Sequence, residues 1–496
     1  MGSRLEQAQV IPKGILITMK GEEVDIISKL PDNLIHEILS FIDTKYAVQT
    51  SVLSKRWKNI WVSLPYISVD WTSFKKDIIY DLGETLCKFL TFVDKVFEFH
   101  DDSDIQSIKL GCVILDAISV EALNRWILAA VNHNVKDLDI SGSYLHDSAY
   151  EIPHQILNSI SLKSLIIILL GDCFGGTNII LQKSMSLPQL KTLWLAGISI
   201  SNLDLQRLFS SCPLMETLFM QKCDVQTSNQ RNIIIDSHSL QRVRLFENRY
   251  THLGLADHTF TCTTKISAPN LMGFMCTGFM TEDCPLENLS SLGYARFDMR
   301  LTKEADETAQ TYFELPAEEK EVFARRMMKF VGVVRSVRHL TLSSGFLEVL
   351  LQAPGILDRQ PPQLCNLGTM KLGMRFTRGC IRSIAYLLKI SPIITTLILV
   401  SEEANLADVE DDWDAGFPLT CMYSHLKFIE IKGVEGCDNE LKFLRFVLKN
   451  SMVLEKVNLF FRSTSDSLDG GRQIRRFKRN LRAMPTASSS IKMNFL

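Results

Sequence analysis

The sequence lacks the patterns that mark several large classes of protein. Its 496 residues carry a formal net charge of −2, so it has no basic field of the kind that nucleic-acid-binding domains use. The longest apolar run, Leu165–Leu170, is far shorter than the roughly 20 residues that cross a bilayer as a helix. The N-terminal residues contain no secretory signal core. We therefore expect a soluble protein of the cytoplasm or nucleus, with neither nucleic acid nor membrane as its partner.

Catalytic and metal-binding motifs are also missing. The 12 cysteines are scattered singly without a Cys-x-x-Cys pair, so the usual spacing of structural zinc sites is absent. His36-Glu37 begins a zinc-protease pattern, but Ser40 stands where its second histidine belongs. No Gly-Lys dipeptide occurs, which excludes a P-loop, and the glycine-rich stretch 171–176 lacks dinucleotide-binding spacing. We predict a protein with no cofactor, no metal and no catalytic step of its own.

What is present begins with the stretch 25–64, which has the pattern of three short amphipathic helices. Pro31-Asp32 favours a helix start, because proline suits the first turn and a carboxylate stabilises the positive end of the helix dipole. Asp43-Thr44 and Ser54 are suitable caps for the second and third helices. The apolar residues at helical spacing are Leu34, Ile35, Ile38, Leu39 and Ile42 in the first helix, Val48 and Val52 in the second (Lys45–Leu53), and Trp57, Ile60, Trp61 and Leu64 in the third.

So small a helical unit predicts a docking module. About forty residues bury too small a fraction of their surface to be comfortable alone. Three apolar stripes cannot all face one another, so some of them need another surface. A partner protein can supply that surface. The alternative is an internal role, in which the helices form a cap on the rest of the same chain.

A motif of the form apolar-x-x-apolar-x-apolar recurs through the rest of the chain. Its spacing of about 25–32 residues, where the array is continuous, is typical of a leucine-rich-repeat solenoid, in which each motif forms a short strand. Helical stripes between the motifs, such as Leu123, Trp126 and Ile127, predict return helices. The motifs are Val135/Leu138/Ile140, Leu162/Leu165/Ile167, Leu190/Leu193/Leu195, Met215/Leu218/Met220, Leu240/Val243/Leu245, Leu271/Phe274/Cys276, Val337/Leu340/Leu342, Leu367/Met370/Leu372, Ile394/Leu397/Leu399, Leu426/Ile429/Ile431 and Leu454/Val457/Leu459.

Two stretches depart from this regularity. Residues 298–321 are acidic and predict a break in the array, either a solvated insertion or a loop that contacts a partner. The tract Arg472–Arg482 is a dense basic run, which is either a solvated helix face or a contact for an acidic partner or for nuclear import. The helix predicted after the acidic stretch would turn one side inward, formed by Val322, Phe323, Met327, Phe330, Val331 and Val334.

The N-terminal stretch resembles an F-box. The resemblance lies in Leu30-Pro31, in Ile38-Leu39 and above all in the run Leu53-Ser54-Lys55-Arg56-Trp57. In that family, the three-helix unit binds a Skp-type adaptor, which connects to a cullin scaffold carrying a RING subunit. The resemblance implies an adaptor surface formed or supported by Leu30, Pro31, Leu34, Ile38, Leu39, Val48, Leu53, Lys55, Arg56 and Trp57. For Trp57 a second interpretation stays open, in which it belongs to the core of the small domain itself.

The rest of the chain is similar to plant F-box/leucine-rich-repeat proteins that end in an FBD domain. The similarity rests on Leu187–Leu193, Ser211–Pro213, Ala268–Leu271 and the C-terminal stretches Cys421–Lys427, Glu440–Leu459 and Pro485–Phe495. It implies an α/β fold: a three-helix F-box, then an irregular solenoid of short parallel strands with return helices, then an FBD-like cap. The expected segments are a flexible arm (1–23), the F-box (24–70), a linker and array start (71–134), the repeats (135–416, with the insertion near 298–321) and the FBD-like domain (417–496).

The resemblance implies a non-catalytic, substrate-recognition subunit of an SCF-type cullin–RING ubiquitin ligase, and the absence of catalytic motifs agrees with this expectation. The F-box would hold the adaptor, and the repeat array would bind a target protein whose identity the sequence does not reveal. Two alternatives remain. One is a scaffold that binds without promoting degradation, and the other is a receptor that senses a small molecule in its solenoid.

Overall fold

The computed structural model describes residues 30–74, 82–112, 120–142, 149–170, 177–227, 232–252, 263–279, 286–287, 289–301, 312–352, 362–375, 378–403, 425–462, 468–489 and 491–496. The α-helices are α1 (Asp32–Leu39), α2 (Thr44–Gln49), α3 (Leu82–Phe99), α4 (Val120–Asn132), α5 (His154–Leu157), α6 (Asn202–Ser210), α7 (Ala317–Val333), α8 (Ser344–Leu350), α9 (Arg378–Lys389), α10 (Asp438–Asn450) and α11 (Leu468–Arg482). Short 3₁₀ helices cover Thr50–Val52, Trp57–Ser63, Trp71–Phe74, Tyr312–Glu314 and Val334–Ser336. Among the described residues, none of the helices combines the length and the apolar character that a membrane span requires.

A main sheet of 15 strands runs through most of the described chain, and every pairing in it is parallel. Its strands, in spatial order, are β1 (Tyr66–Asp70), β2 (Ser107–Cys112), β3 (Asp137–Gly142), β5 (Ser164–Leu169), β7 (Thr192–Ala196), β9 (Thr217–Gln221), β12 (Arg242–Phe246), β15 (Gly273–Phe279), β17 (Tyr294–Arg300), β18 (His339–Leu342), β19 (Thr369–Arg375), β20 (Thr396–Glu403), β21 (Phe428–Val434), β22 (Lys456–Phe461) and β23 (Lys492–Phe495). Spatial order follows chain order throughout, as a solenoid requires.

The repeated apolar motif explains this sheet. Each predicted motif lies at a strand of the main sheet, with the second and third motif residues within the strand. In β3, for example, Leu138 and Ile140 are buried while Asp137 and Asp139 point to the other side, because side chains alternate along a strand. The strand predicted at Ile108–Leu110 is β2. Strands β1 and β17 follow the same pattern with Leu64/Ile67/Val69 and Leu292/Ala295/Phe297, which the sequence analysis did not identify.

The return path between main strands differs along the chain. Helices α3, α4, α7, α8, α9 and α10 cover the two ends of the array, and among them α4 and α7 contain the apolar stripes described in the sequence. The middle repeats return partly through two additional parallel sheets. One has the order β13-β10-β8-β6-β4 and the other β11-β14-β16, from strands Tyr150–Glu151 (β4), Thr177–Ile180 (β6), Ile198–Ser201 (β8), Asp224–Thr227 (β10), Asn232–Asp236 (β11), Arg249–His252 (β13), Thr263–Ser267 (β14) and Leu286–Glu287 (β16).

Residues 298–321 only partly form the predicted break. Strand β17 continues to Arg300, and helix α7 begins at Ala317. Residues 302–311 lie outside the described residues, as do the predicted N-terminal arm and the glycine-rich stretch 171–176. Met327, Phe330, Val331 and Val334 are buried as predicted, whereas Val322 is exposed, because it lies in the first turns of α7 on the side away from the array.

The C-terminal segment continues the solenoid. Strands β21 and β22 are neighbours in the main sheet, and α10 connects them as a return helix whose buried side belongs to the core. Glu440 in the first turn of α10 is buried, and its carboxylate accepts the backbone N–H groups of Glu435 (3.0 Å), Gly436 (2.6 Å) and Cys437 (3.0 Å). This carboxylate fixes the loop before α10, where Gly436 has a φ of +83° that favours glycine. The basic tract predicted at Arg472–Arg482 lies in α11.

Candidate adaptor-binding surface

Helix α1 displays two apolar sides. Its N-cap residue is Pro31, and Asp32 lies in the first turn, as the sequence pattern predicts. Ile35 and Leu39 are buried, whereas Leu34 and Ile38 are exposed. The apolar stripe predicted for this helix is therefore divided between an inner and an outer side.

The second helix connects the N-terminal unit to the repeat array. Asp43 Oδ1 accepts the N–H of Lys45 at 2.8 Å, which confirms Asp43 as the cap of α2. Its other oxygen, Oδ2, accepts the N–H of Asp70 at 2.9 Å at the end of β1. Thr44 Oγ1 accepts the N–H of Ser68 at 2.9 Å. Burial raises the pKa of Asp43, although the N–H donors act in the opposite direction.

The second and third predicted helices both contain 3₁₀ turns. The second, predicted over Lys45–Leu53, continues after α2 as a 3₁₀ turn over Thr50–Val52. The third is a 3₁₀ helix over Trp57–Ser63, and Ser54 Oγ accepts the N–H of Trp57 at 3.4 Å. A ring nitrogen of His36 donates to the Ile60 carbonyl oxygen at 3.2 Å, so this half-buried histidine joins α1 to the third segment. The Arg56 guanidinium donates to the Leu30 carbonyl oxygen and lies 2.5 Å from Asp32 Oδ1.

The N-terminal unit has a small core of its own. The core consists of Ile35, Leu39, Ala47, Trp57, Ile60 and Leu64, with Leu30 and Trp61 packed at its edge. Trp57 is only 4% exposed, so the structure places it in the core, the second of the two interpretations of this residue. Leu39 lies there as well. Trp57 and Leu39 are therefore buried beneath the predicted surface and are not part of its exposed face.

The outer side of the unit carries large apolar side chains, which we call the exposed apolar set. Of the predicted residues, Pro31, Leu34, Ile38, Leu53, Lys55 and Arg56 are exposed, and Leu30 and Val48 are half-buried. Sequence reasoning missed Phe41 and Val52, which are 81% and 88% exposed, and Tyr46 and Ile42. The exposed apolar set comprises Leu34, Ile38, Phe41, Ile42, Tyr46, Val52 and Leu53.

An accumulation of this kind indicates an interaction surface. Single exposed apolar residues are ordinary, but many of them on one small unit mark a binding site. Phe41 and Ile42 follow the C-terminal end of α1, and Ile42 is the last residue of the apolar stripe predicted for the first helix. The sequence does contain a signal for these residues: the N-terminal unit has more large apolar residues than its core of six residues can bury.

Comparison with known families agrees with this architecture. A model described as "F-box domain" matches residues 27–68, a model described as "FBD-associated F-box protein At5g56370, LRR repeats" matches residues 123–281, and a model described as "FBD" matches residues 416–459. The chain combines an F-box, leucine-rich repeats and an FBD domain. The predicted family resemblance is thereby confirmed, and the exposed apolar set lies within the F-box.

Similar proteins share this organisation over nearly their whole length. F-box/LRR-repeat protein At2g42730 of Arabidopsis thaliana is 28% identical over 488 residues, which cover 95% of this chain and 97% of that protein. F-box/FBD/LRR-repeat protein At5g53840 of Arabidopsis thaliana is 26% identical, with 89% of each chain covered. F-box domains generally bind Skp-type adaptors, and leucine-rich repeats bind proteins. F-box/LRR proteins are typically non-catalytic subunits.

Proposed function

We propose that the chain is the substrate-recognition subunit of an SCF-type cullin–RING ubiquitin ligase. The F-box would bind a Skp-type adaptor and, through it, the cullin and RING subunits, while the repeat array would bind the target protein. The observation that carries this proposal is the exposed apolar set on an F-box whose own core is small. The chain would contribute proximity and orientation of the target, and no covalent step.

The energetics support a stable but reversible contact. Covering a half-exposed leucine or isoleucine such as Leu34 or Ile38 contributes on the order of 1 kcal/mol, and covering Phe41 or Val52 contributes somewhat more because they are almost fully exposed. Association and side-chain ordering offset a large part of this gain. Lys55 and Arg56 are exposed and follow Leu53 closely in the sequence, and exposed charges beside an apolar contact affect orientation and association rate more than affinity.

The first experiment measures adaptor binding by the full chain. A recombinant plant Skp-type adaptor is titrated against the wild type, Ile38→Asp and Val52→Asp, because a carboxylate in an apolar contact has to be dehydrated without a partner. We expect each substitution to weaken binding by at least about tenfold. Ile160→Asp is the matched control, since Ile160 is 77% exposed on the repeat array, and its adaptor affinity should equal that of the wild type.

Three outcomes would argue against the proposal. If Ile38→Asp and Val52→Asp bind the adaptor like the wild type, the surface is misplaced. If the wild type binds no adaptor, a scaffold function is favoured instead. If a small molecule raises the melting temperature of the full chain, the receptor alternative gains support.

The second experiment concerns the target protein. Proximity labelling in plant cells compares the wild type with Ile38→Asp, with and without proteasome inhibition. Targets of a ligase should be labelled by both proteins, and inhibition should increase their amount only in cells that express the wild type. Equal amounts in all four conditions would indicate a scaffold without a role in degradation.

A further inference from the structure

A row of side chains crosses the solvent-facing side of the main sheet. Register pairing places Ile166 on β5, Trp194 on β7, Phe219 on β9 and Arg244 on β12 side by side. Each of them lies between two residues of its own strand that point into the core. Neighbouring strands are about 4.8 Å apart, so the row is roughly 14 Å long at the backbone.

One half of this row is apolar and aromatic. The rings of Trp194 and Phe219 are 4.5 Å apart between centroids and are tilted by 54°. Both side chains are half-buried, and so is Ile166 beside them. Sheet positions that face solvent usually carry polar residues in such arrays. Aromatic residues at these positions are typical of the centre of protein interfaces, where they supply large contact area at low entropic cost.

The Arg244 end of the row is cationic, and Arg242 lies two positions before Arg244 on the same strand. Arg242 and Arg244 are exposed on β12, and no ion pair joins either of them to another residue in the part of the chain that the structure describes. By contrast, Arg296 on β17 lies 3.2 Å from Asp298. Gly273 pairs in register with Arg242, and a side chain there would meet nothing within 4 Å, so the space beside Arg242 is open.

The residue next to Ile166 has the opposite charge. Asp139 on β3 pairs in register with Ile166, and Ser141 Oγ donates to its carboxylate at 2.5 Å. On its other side, Asp139 pairs in register with Lys109 on β2. The row therefore runs from a carboxylate, across an apolar centre, to two guanidinium groups. A ligand with acidic groups at one side of an apolar group fits this order, whereas acidic groups at both sides would meet Asp139.

We propose that this row binds an extended segment of the target protein that carries a bulky apolar side chain and, at one side of it, acidic side chains. Carboxylates are the partners that guanidinium groups bind in fork geometry. The distance from Trp194 to Arg244 is two strand spacings, about 10 Å, and an extended peptide advances about 3.3 Å per residue. Because side chains alternate along an extended peptide, an acidic side chain on the same face should lie two or four residues from the apolar one, and the long arginine side chain spans the remaining difference. The inference rests on the proposed function, since it names the class of target that the array would select.

The test uses the full-length protein and a random library of displayed peptides. Selection is carried out in parallel on the wild type, on Arg242→Glu/Arg244→Glu, on Phe219→Ala and on the control Arg472→Glu/Arg475→Glu, which reverses two exposed charges on α11. Circular dichroism and melting temperature verify that each variant is folded. Enriched peptides are then synthesised with a fluorescent label, and their affinities are measured by anisotropy.

We expect the wild type and the α11 control to enrich peptides with an aromatic or large aliphatic residue two or four positions from an acidic one. These peptides should bind Arg242→Glu/Arg244→Glu at least about tenfold more weakly, and adding acidic residues at the second side of the apolar residue should weaken binding to the wild type. Enrichment of peptides without acidic residues, enrichment of none, or equal affinity for the Arg242→Glu/Arg244→Glu variant would overturn the inference. Adaptor titration with the same proteins separates the two proposals, because adaptor binding depends on the F-box alone.

Discussion

The F-box and the repeat array bury their apolar side chains in different ways. In the array each strand is covered by its neighbours and by return elements, so one core continues from Ile67 in β1 to Met484 after α11. The F-box core contains six of the described residues, and the seven residues of the exposed apolar set face solvent. A repeated unit can be covered by the next copy of itself, whereas a single small unit needs another surface. The apolar residues of the array therefore mainly stabilise the fold, and those of the F-box divide between the fold and binding.

The largest expected effect on stability comes from replacing Trp126, a buried tryptophan of the array. Trp126 in α4 is 1% exposed, its Nε1–H donates to Asp94 at 2.7 Å, and its ring lies 6.1 Å from that of Phe89. Trp126→Ala removes a large core side chain and leaves Asp94 without this donor. We expect a loss of about 4 kcal/mol in the free energy of unfolding.

Urea unfolding of the full chain, followed by circular dichroism, measures this loss. Leu203→Ala is the matched control, because Leu203 is exposed on α6 and its removal should change stability by less than about 0.5 kcal/mol. A midpoint for Trp126→Ala that equals that of the control would show that the array core tolerates the cavity.

The second prediction concerns Trp57, the corresponding tryptophan of the F-box. Trp57→Ala removes the largest member of a six-residue core, and we expect a local loss of about 3 kcal/mol. Because the F-box core is separate from that of the array, the loss should be confined to residues 30–64. Adaptor affinity should fall as well, since the exposed apolar set depends on this core for its arrangement.

Hydrogen exchange with mass spectrometry separates local from global effects. Amides of the F-box should exchange faster in Trp57→Ala, while those of the main sheet keep their rates. Lys58→Ala, at the neighbouring exposed position, is the control. Faster exchange across the main sheet would mean that the F-box and the array unfold as one unit and that their cores are not independent.

The main sheet could be predicted from sequence because its signal is local. Each motif is a run of six positions whose alternation places two residues in the core of one strand. The additional sheets could not be predicted in this way. Asp224–Thr227 has one apolar residue, and the three isoleucines of Asn232–Asp236 do not have the spacing of the motif. The first becomes a strand between β8 and β13, and the second pairs in register with β14.

The F-box surface could be predicted only as a set of candidates. Leu34 and Ile35 lie on the same helical stripe, and the sequence pattern treats them alike. Ile35 is buried and Leu34 exposed because the third segment packs against one side of α1 only. Trp57 fits either interpretation as a sequence, since a large aromatic residue suits both a core and an interface. Tertiary packing determines whether each of these residues is buried or exposed, and the periodicity of the sequence does not contain that information.

The smallest expected effect lies at Asp43, where the two regions meet. Its carboxylate accepts N–H groups from Lys45 in α2 and from Asp70 in β1, so it joins the F-box to the first strand of the array. Asp43→Ala leaves both donors without this acceptor, and we expect a loss of about 1–2 kcal/mol. Asp43→Asn is the control, because its amide oxygen still caps α2, and its loss at neutral pH should be smaller.

The difference in unfolding free energy between the wild type and Asp43→Asn should depend on pH, and its direction shows whether burial or hydrogen bonding dominates at Asp43. Burial raises the pKa of Asp43 above its ordinary value of 3.8, so the protonated form is favoured by folding. Such a group stabilises the fold fully below its unfolded pKa, and this contribution is lost as the pH rises through the folded pKa. Unfolding free energies measured between about pH 3.5 and pH 6 should therefore show the advantage of the wild type over Asp43→Asn shrinking as the pH rises. An advantage that grows with pH would mean that the two N–H donors, and not burial, dominate the energetics of the junction.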